Sequence, residues 1–187
     1  IGGTLDLRSN QLTSVTLPSG LIIGGTLDLR SNQLTSVTLP SGLIIGGTLD
    51  LGYNQLTSVT LPPGLSIGSI DLSWNKLASV TLPSGLIIRG TFDLRSNQLT
   101  SVTLPSGLIT GGTLNLAGNQ LAFIEIQDGV RIGGNLILRH NPLTTVKIHS
   151  SASIGENLFL EHTRVVSMSA QDQRCIEGRV YFPDVTH

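Results

Sequence analysis

Residues 5–12 read Leu5-Asp6-Leu7-Arg8-Ser9-Asn10-Gln11-Leu12, and this frame returns along the chain. It stands again as Leu27–Leu34, Leu49–Leu56, Ile70–Leu77, Phe92–Leu99, Leu114–Leu121 and Leu136–Leu143. Leu158–Val165 keeps the frame but carries Thr163 where the others have asparagine. Working outward, residues 23–44 repeat residues 1–22 without a change. Residues 45–66 differ from them only at Gly52, Tyr53, Pro63 and Ser66. Block 67–87 is one residue shorter, and block 88–109 returns to 22 residues. Blocks 110–131, 132–153 and 154–175 drift but stay in frame. Eight units therefore fill residues 1–175 with no linker or charge run between them. Residues 176–187 fall outside the pattern and are expected to form a C-terminal cap or tail.

Within the first unit the apolar positions are Ile1, Leu5, Leu7, Leu12, Val15, Leu17 and Leu21. Leu5 and Leu7 alternate with Thr4, Asp6 and Arg8, which is strand periodicity. Val15 and Leu17 alternate with Ser14 and Thr16, giving a second short extended stretch, and Pro18-Ser19-Gly20 is a turn. No stretch holds a 3.6-residue period long enough for a full helix. A unit this short cannot bury its own apolar side chains. Stacked coils can, because each leucine then rests on its equivalent in the next coil.

Repetition of this kind explains the composition. The 187 residues include 31 leucines and 22 glycines, whereas only 12% are charged. With 39% hydrophobic residues the chain is not disordered. A net charge of −1 offers no global field for nucleic acid or an anionic membrane. The apolar runs are too short to span a bilayer, so no membrane insertion is expected. Cys175 is the single cysteine, so no internal disulfide framework exists. No signal-peptide pattern is present, and a start at Ile1 is compatible with a removed leader.

The segment Leu5–Leu12 resembles the leucine-rich-repeat core LxLxxNxL, and it does so in unit after unit. Gly2 and its equivalents depart from the longer family pattern, which has leucine there. Unit length and the SVTLPSGL segment are most similar to short bacterial repeats of 21–22 residues. The resemblance implies a β-rich solenoid, a curved right-handed coil with a parallel β-sheet on its concave face and few or no regular helices. It also implies an inner ladder of Asn10, Asn32, Asn54, Asn75, Asn97, Asn119 and Asn141. Backbone groups in the turn after the strand are the partners expected for those amides.

Catalysis needs unlike groups that converge, whereas a repeat makes columns of like groups. No enzyme activity, cofactor or metal is expected. The outward triads begin Thr4/Asp6/Arg8, Thr26/Asp28/Arg30, Thr48/Asp50/Gly52, Ser69/Asp71/Ser73 and Thr91/Asp93/Arg95. Their aspartate column reads as a solvated acidic stripe in preference to a calcium ladder. His140 and His162 fall at equivalent positions and should stack, with no third ligand in register for a metal. Tyr53 and Trp74 occupy the same column in earlier units. The aspartate column continues as Asn115, Ile137 and Phe159, so the last triads are Asn135/Ile137/Arg139 and Asn157/Phe159/Glu161. Apolar residues on a polar face, beside charges, read either as an interface or as a surface covered by the tail.

The expected function is a non-catalytic scaffold that recognises a protein through the concave face. The candidate contacts are Arg95, Ile137, Arg139, Phe159 and Glu161, with Tyr53 and Trp74 on the rim. One alternative is a self-associating structural or adhesive solenoid, stacked end to end. A minor alternative is ice binding through Thr16, Thr38, Thr60, Thr81 and Thr103, a column broken by Glu125 and Lys147. Localisation is left open, with a secreted or cell-surface bacterial protein favoured.

Overall fold

The computed structural model describes residues 1–183 and shows a β-solenoid of stacked coils. The main ladder holds Leu5–Asp6, Leu27–Asp28, the end of Ile44–Asp50, the end of Ser66–Asp71, Phe92–Asp93, Leu114–Asn115, Leu136–Ile137 and Leu158–Phe159. All pairs are parallel and each residue faces its repeat equivalent, as Leu5 faces Leu27 and Leu136 faces Leu158. The extended stretch expected around Val15 forms a separate ladder on another side of the coil. Its strands are Ser58–Thr60 with Ser79–Thr81, and Phe123–Ile126 with Thr145–Ile148. An isolated bridge joins Thr16 to Thr38.

A further ladder had no signature in the sequence reading. Ile22–Ile23, Ile87–Ile88, Ile109–Thr110, Arg131–Ile132 and Ser153–Ile154 pair coil to coil just before the glycines. Two residues per coil are too few to show a period of two. The shortened unit explains how this ladder meets the main one. Ile45 faces Ile67 and Thr48 faces Ser69, so Gly46 and Gly47 together oppose Gly68. The missing residue is absorbed at that bulge. Ile44–Asp50 and Ser66–Asp71 run through the corner as single strands, and they join both ladders into one 14-stranded sheet.

Leucine and isoleucine fill the interior. Leu27, Leu29, Leu34, Leu49, Leu51, Leu56, Phe92 and Leu94 have no exposed surface. Leu5, Leu7, Leu12, Val15, Leu17 and Leu21 pack on one side only and stay half-buried. Gly2 and its equivalents stand where coil backbones come closest. A Cβ on Gly24 would lie 2.6 Å from the carbonyl oxygen of Gly2, and one on Gly155 would lie 2.6 Å from that of Gly133. No side chain fits there without moving the neighbouring coil. Arg89 stands at this position in its own unit, and its Nη2 donates to Ser66 Oγ at 2.9 Å.

The C-terminal segment extends the stack. Ile176 bridges Ile154, and Val180–Tyr181 pairs with Leu158–Phe159 in the register of the repeat. Residues placed outside the pattern by their sequence thus add a ninth rung to the main ladder. The one helix among the described residues is a single turn, Ala170–Gln173, capped by Ser169, which accepts from the Asp172 N–H at 3.1 Å. Cys175 is buried here, and its Sγ lies 3.5 Å from the His149 carbonyl. Burial, and then the nearby Asp172 charge, push this thiol above its ordinary value.

The asparagine ladder has the partners expected of it except at Asn10, which is exposed and whose side chain donates only to the Arg8 carbonyl of its own coil. Asn97 Nδ2 donates to the Leu94 carbonyl of its own coil at 3.0 Å and to the Leu72 carbonyl of the preceding coil at 3.0 Å. Its Oδ1 accepts from the Leu77 N–H at 3.0 Å. Asn32, Asn54, Asn75, Asn119 and Asn141 repeat the pattern, so each amide bridges two coils. Thr163, in the place of the next asparagine, donates to Leu160 in its own coil at 2.7 Å. Replacing Asn97 with alanine strands buried backbone groups at Leu72, Leu77 and Leu94. It is expected to cost about 3 kcal/mol in urea unfolding. A loss below about 0.5 kcal/mol contradicts the bridging role.

Candidate functional site

Outward side chains of the main ladder come from alternate residues, so Asp6 and Arg8 point away from the core that Leu5 and Leu7 enter. Each aspartate of the column also has a local task. Its Oδ1 accepts the backbone N–H two residues on: Arg30 N for Asp28 at 3.2 Å, Ser73 N for Asp71 at 2.8 Å and Arg95 N for Asp93 at 2.9 Å. Asn115 does the same for Ala117 at 3.1 Å. The acidic stripe is therefore partly a set of turn-forming residues. The sequence reading had seen only its charge. Arg8, Arg30 and Arg95 lean back onto Asp6, Asp28 and Asp93 at 3.2, 3.3 and 3.4 Å.

Ile137 and Phe159 lie side by side in the main ladder, and both stay half-buried. Among the described residues the C-terminal segment does not fold over both of them; it places Tyr181 beside Phe159. The two rings stack with centroids 4.8 Å apart and planes 5° apart. Arg139 covers the Phe159 ring from the side, its Cζ 5.5 Å from the centroid. Arg139 and Glu161 make no ion pair with each other among the described residues. Glu161 Oε2 is buried with no hydrogen-bond partner. Arg95 is exposed and held by Asp93, two coils away from Arg139 in the same column. Sequence reasoning missed Tyr181. The available signal was its 22-residue distance from Phe159.

The rim residues form a different group. Ser9, Ser31, Tyr53, Trp74, Ser96, Gly118, His140 and His162 share a left-handed backbone, with φ between 54° and 66°. This kink turns their side chains onto one edge of the solenoid. Tyr53 and Trp74 stack there, centroids 5.7 Å apart and planes 9° apart, each about half exposed. His140 and His162 stack as expected, at 4.3 Å and 8°. Ring nitrogens of parallel imidazoles have lone pairs that run side by side, so the pair does not converge on one ion. His140 and His162 belong to the same coils as Ile137 and Phe159, whereas Tyr53 and Trp74 lie three to five coils away. The structure thus separates the sequence-chosen residues into two places. His187 lies outside the described residues.

A polar cluster occupies the separate ladder. Glu125 Oε1 meets Lys147 Nζ at 2.6 Å and His149 Nε2 at 2.9 Å. His149 Nδ1 lies 3.6 Å from Asp128 Oδ2, and Ser151 Oγ donates to Asp128 Oδ1 at 2.8 Å. Ser151 thus turns to the carboxylate and not to the imidazole, so the group lacks a nucleophile–base pair. Bonds from Lys147 and His149 hold the Glu125 carboxyl down at about 2. Its ion pairs therefore stabilise the fold above about pH 4.5, its ordinary value, and are lost as pH falls towards 2. Glu125→Gln is expected to flatten that part of the acid limb in urea midpoints taken from pH 6 to pH 2. An unchanged pH profile contradicts the assignment.

The model of the BspA type leucine rich repeat region matches residues 7–87 and 51–166, in six copies. Among solved structures, a Shigella effector leucine-rich-repeat domain is similar at 19% identity with a TM-score of 0.65, over 98% of this chain and 82% of that one. YopM from Yersinia enterocolitica WA-314 is similar at 19% identity with a TM-score of 0.53, over 98% of this chain and 47% of that one. At such identities the likeness shows the fold alone. This chain spans about half the length of YopM. No curated protein sequence matches it.

Proposed function

From a chain that belongs to the BspA-type leucine-rich-repeat family, we propose a non-catalytic scaffold that recognises a protein partner through the outward face of its main ladder. One observation carries this reading: the row Ile137, Phe159 and Tyr181 stays partly exposed among the described residues. Apolar side chains interrupt the polar column there. Arg139 lies against Phe159, and Glu161 keeps a buried oxygen with no donor. A partner that brings an apolar anchor and one hydrogen-bond donor satisfies both. Arg95 extends the face towards earlier coils, and Tyr53 and Trp74 form its far rim. An enzyme is disfavoured, because among the described residues no serine, threonine or cysteine side chain bonds an imidazole. The Shigella effector domain and the Yersinia YopM are bacterial proteins, in keeping with a bacterial source.

Ile137→Ala combined with Phe159→Ala is expected to abolish capture of the partner in affinity pull-downs, with the far-ultraviolet circular dichroism unchanged. Retained binding by a folded double variant contradicts the site.

A second reading, self-association, draws on a separate observation. Ile22 and Ile44 face each other in one ladder, and with Ile87 they are 55%, 40% and 52% exposed. A second copy packed along that row would cover them. Sedimentation velocity over a hundredfold range of concentration is then expected to show growing species; a monomer throughout rules the reading out.

A further inference from the structure

Two adjacent coils change together. In the arginine column, Arg8 and Arg30 give way to Gly52 and Ser73 before Arg95 resumes. In the next column the same coils replace serine with Tyr53 and Trp74. The aspartates stay, so Asp50 and Asp71 lose the arginine of their own coil. Asp50 keeps a distant contact with Arg30 at 3.8 Å. Asp71 has no ion pair among the described residues.

The vacated space is lined by oxygen. A Cβ placed on Gly52 would stand 3.3 Å from Asp50 Oδ1, 3.4 Å from Asp71 Oδ1 and 3.4 Å from Ser73 Oγ. Ser73 is only 1% exposed, and its Oγ has no hydrogen-bond partner. Such an orphan in a polar recess points to an absent group. On its other side Asp71 borders a groove of about 250 Å³, lined by Thr48, Ser69, Ile70, Thr91 and Asp93. Burial raises the carboxyls of Asp50 and Asp93, and the neighbouring Asp71 raises both further. An added positive charge relieves that repulsion.

We propose that this recess is a binding notch for a basic side chain, arginine or lysine, of a protein partner. The carboxylates take the cationic head in place of the missing arginines, and the Tyr53–Trp74 pair walls the rim against its stem. A bare divalent ion fits less well. Calcium takes six to eight oxygens, and no group of three or more carboxylate, imidazole or thiol ligands exists among the described residues. The proposal rests on the protein-recognition reading of this face but uses other coils than Ile137 and Phe159.

The test is calorimetric titration of the whole chain with an acetylated, amidated tetra-arginine peptide. A tetra-citrulline peptide is the neutral control and calcium chloride the metal control. Saturable binding of the arginine peptide is expected, with none for citrulline. Asp71→Asn, which keeps the turn bond that Asn115 makes in the same column, should weaken binding at least fivefold. Ser73→Arg, which refills the column, should weaken it at least tenfold. The Ile137→Ala, Phe159→Ala chain should bind the peptide as tightly as the parent, so the two sites fail separately. Absence of saturable binding, equal binding of citrulline, calcium bound in place of the peptide, or unchanged affinity in either notch variant overturns the proposal.

Discussion

From the second coil to the seventh an asparagine amide fastens each coil to the one before it, and the rest of the structure depends on that tie. Asn54 shows how: its Nδ2 reaches carbonyls at Leu51 and Leu29, and its Oδ1 takes the Leu34 N–H. These groups are buried and would otherwise lack partners. The bond set fixes both the distance and the register between coils. Because the spacing is the same at every step, leucine lands on leucine and the interior fills with one kind of residue. Because the backbones come close at the corner, Gly24 and Gly155 cannot carry a side chain. The left-handed kink just before each asparagine turns one side chain per coil onto a common edge.

Uniform spacing also decides what the surface can do. Any outward position becomes a column, so function must come from departures. Columns of like charge are tolerated where arginine alternates with aspartate, as at Asp28 and Arg30. Where the arginine is lost, in the coils of Gly52 and Ser73, Asp50 keeps only a 3.8 Å contact with Arg30 and Asp71 has no ion pair among the described residues. Where aspartate itself is lost, at Ile137 and Phe159, the face turns apolar. Two stretches of one ladder thus offer different chemistry on the same backbone.

Much of this was legible in the sequence because a period carries a register. The frame Leu5–Leu12, repeated, gave the ladder, the buried asparagines and the stacked pair His140–His162. Short or singly occurring features were not legible. Two residues such as Ile22–Ile23 show no alternation, so their ladder went unseen. Val180–Tyr181 follows Leu158–Phe159 by one period, but the surrounding residues no longer resemble a unit, and the segment read as a cap or tail. The aspartates looked like a surface charge because their bond to the N–H two residues on is a matter of local geometry. Phe159 was found through its hydrophobic departure from the column, whereas Tyr181 needed the ninth rung to be recognised first.

Amide hydrogen exchange tests the coil-to-coil tie most directly. The N–H groups of Leu34, Leu56, Leu77, Leu99 and Leu121 donate to an asparagine of the next coil and not to a strand. They should be protected as strongly as the ladder amides of Leu51, Leu72 and Leu94, and Asn97→Ala should release Leu77 selectively. Exchange at these five amides as fast as in the Ser41-Gly42 and Ser84-Gly85 turns would contradict a solenoid held together by its asparagines.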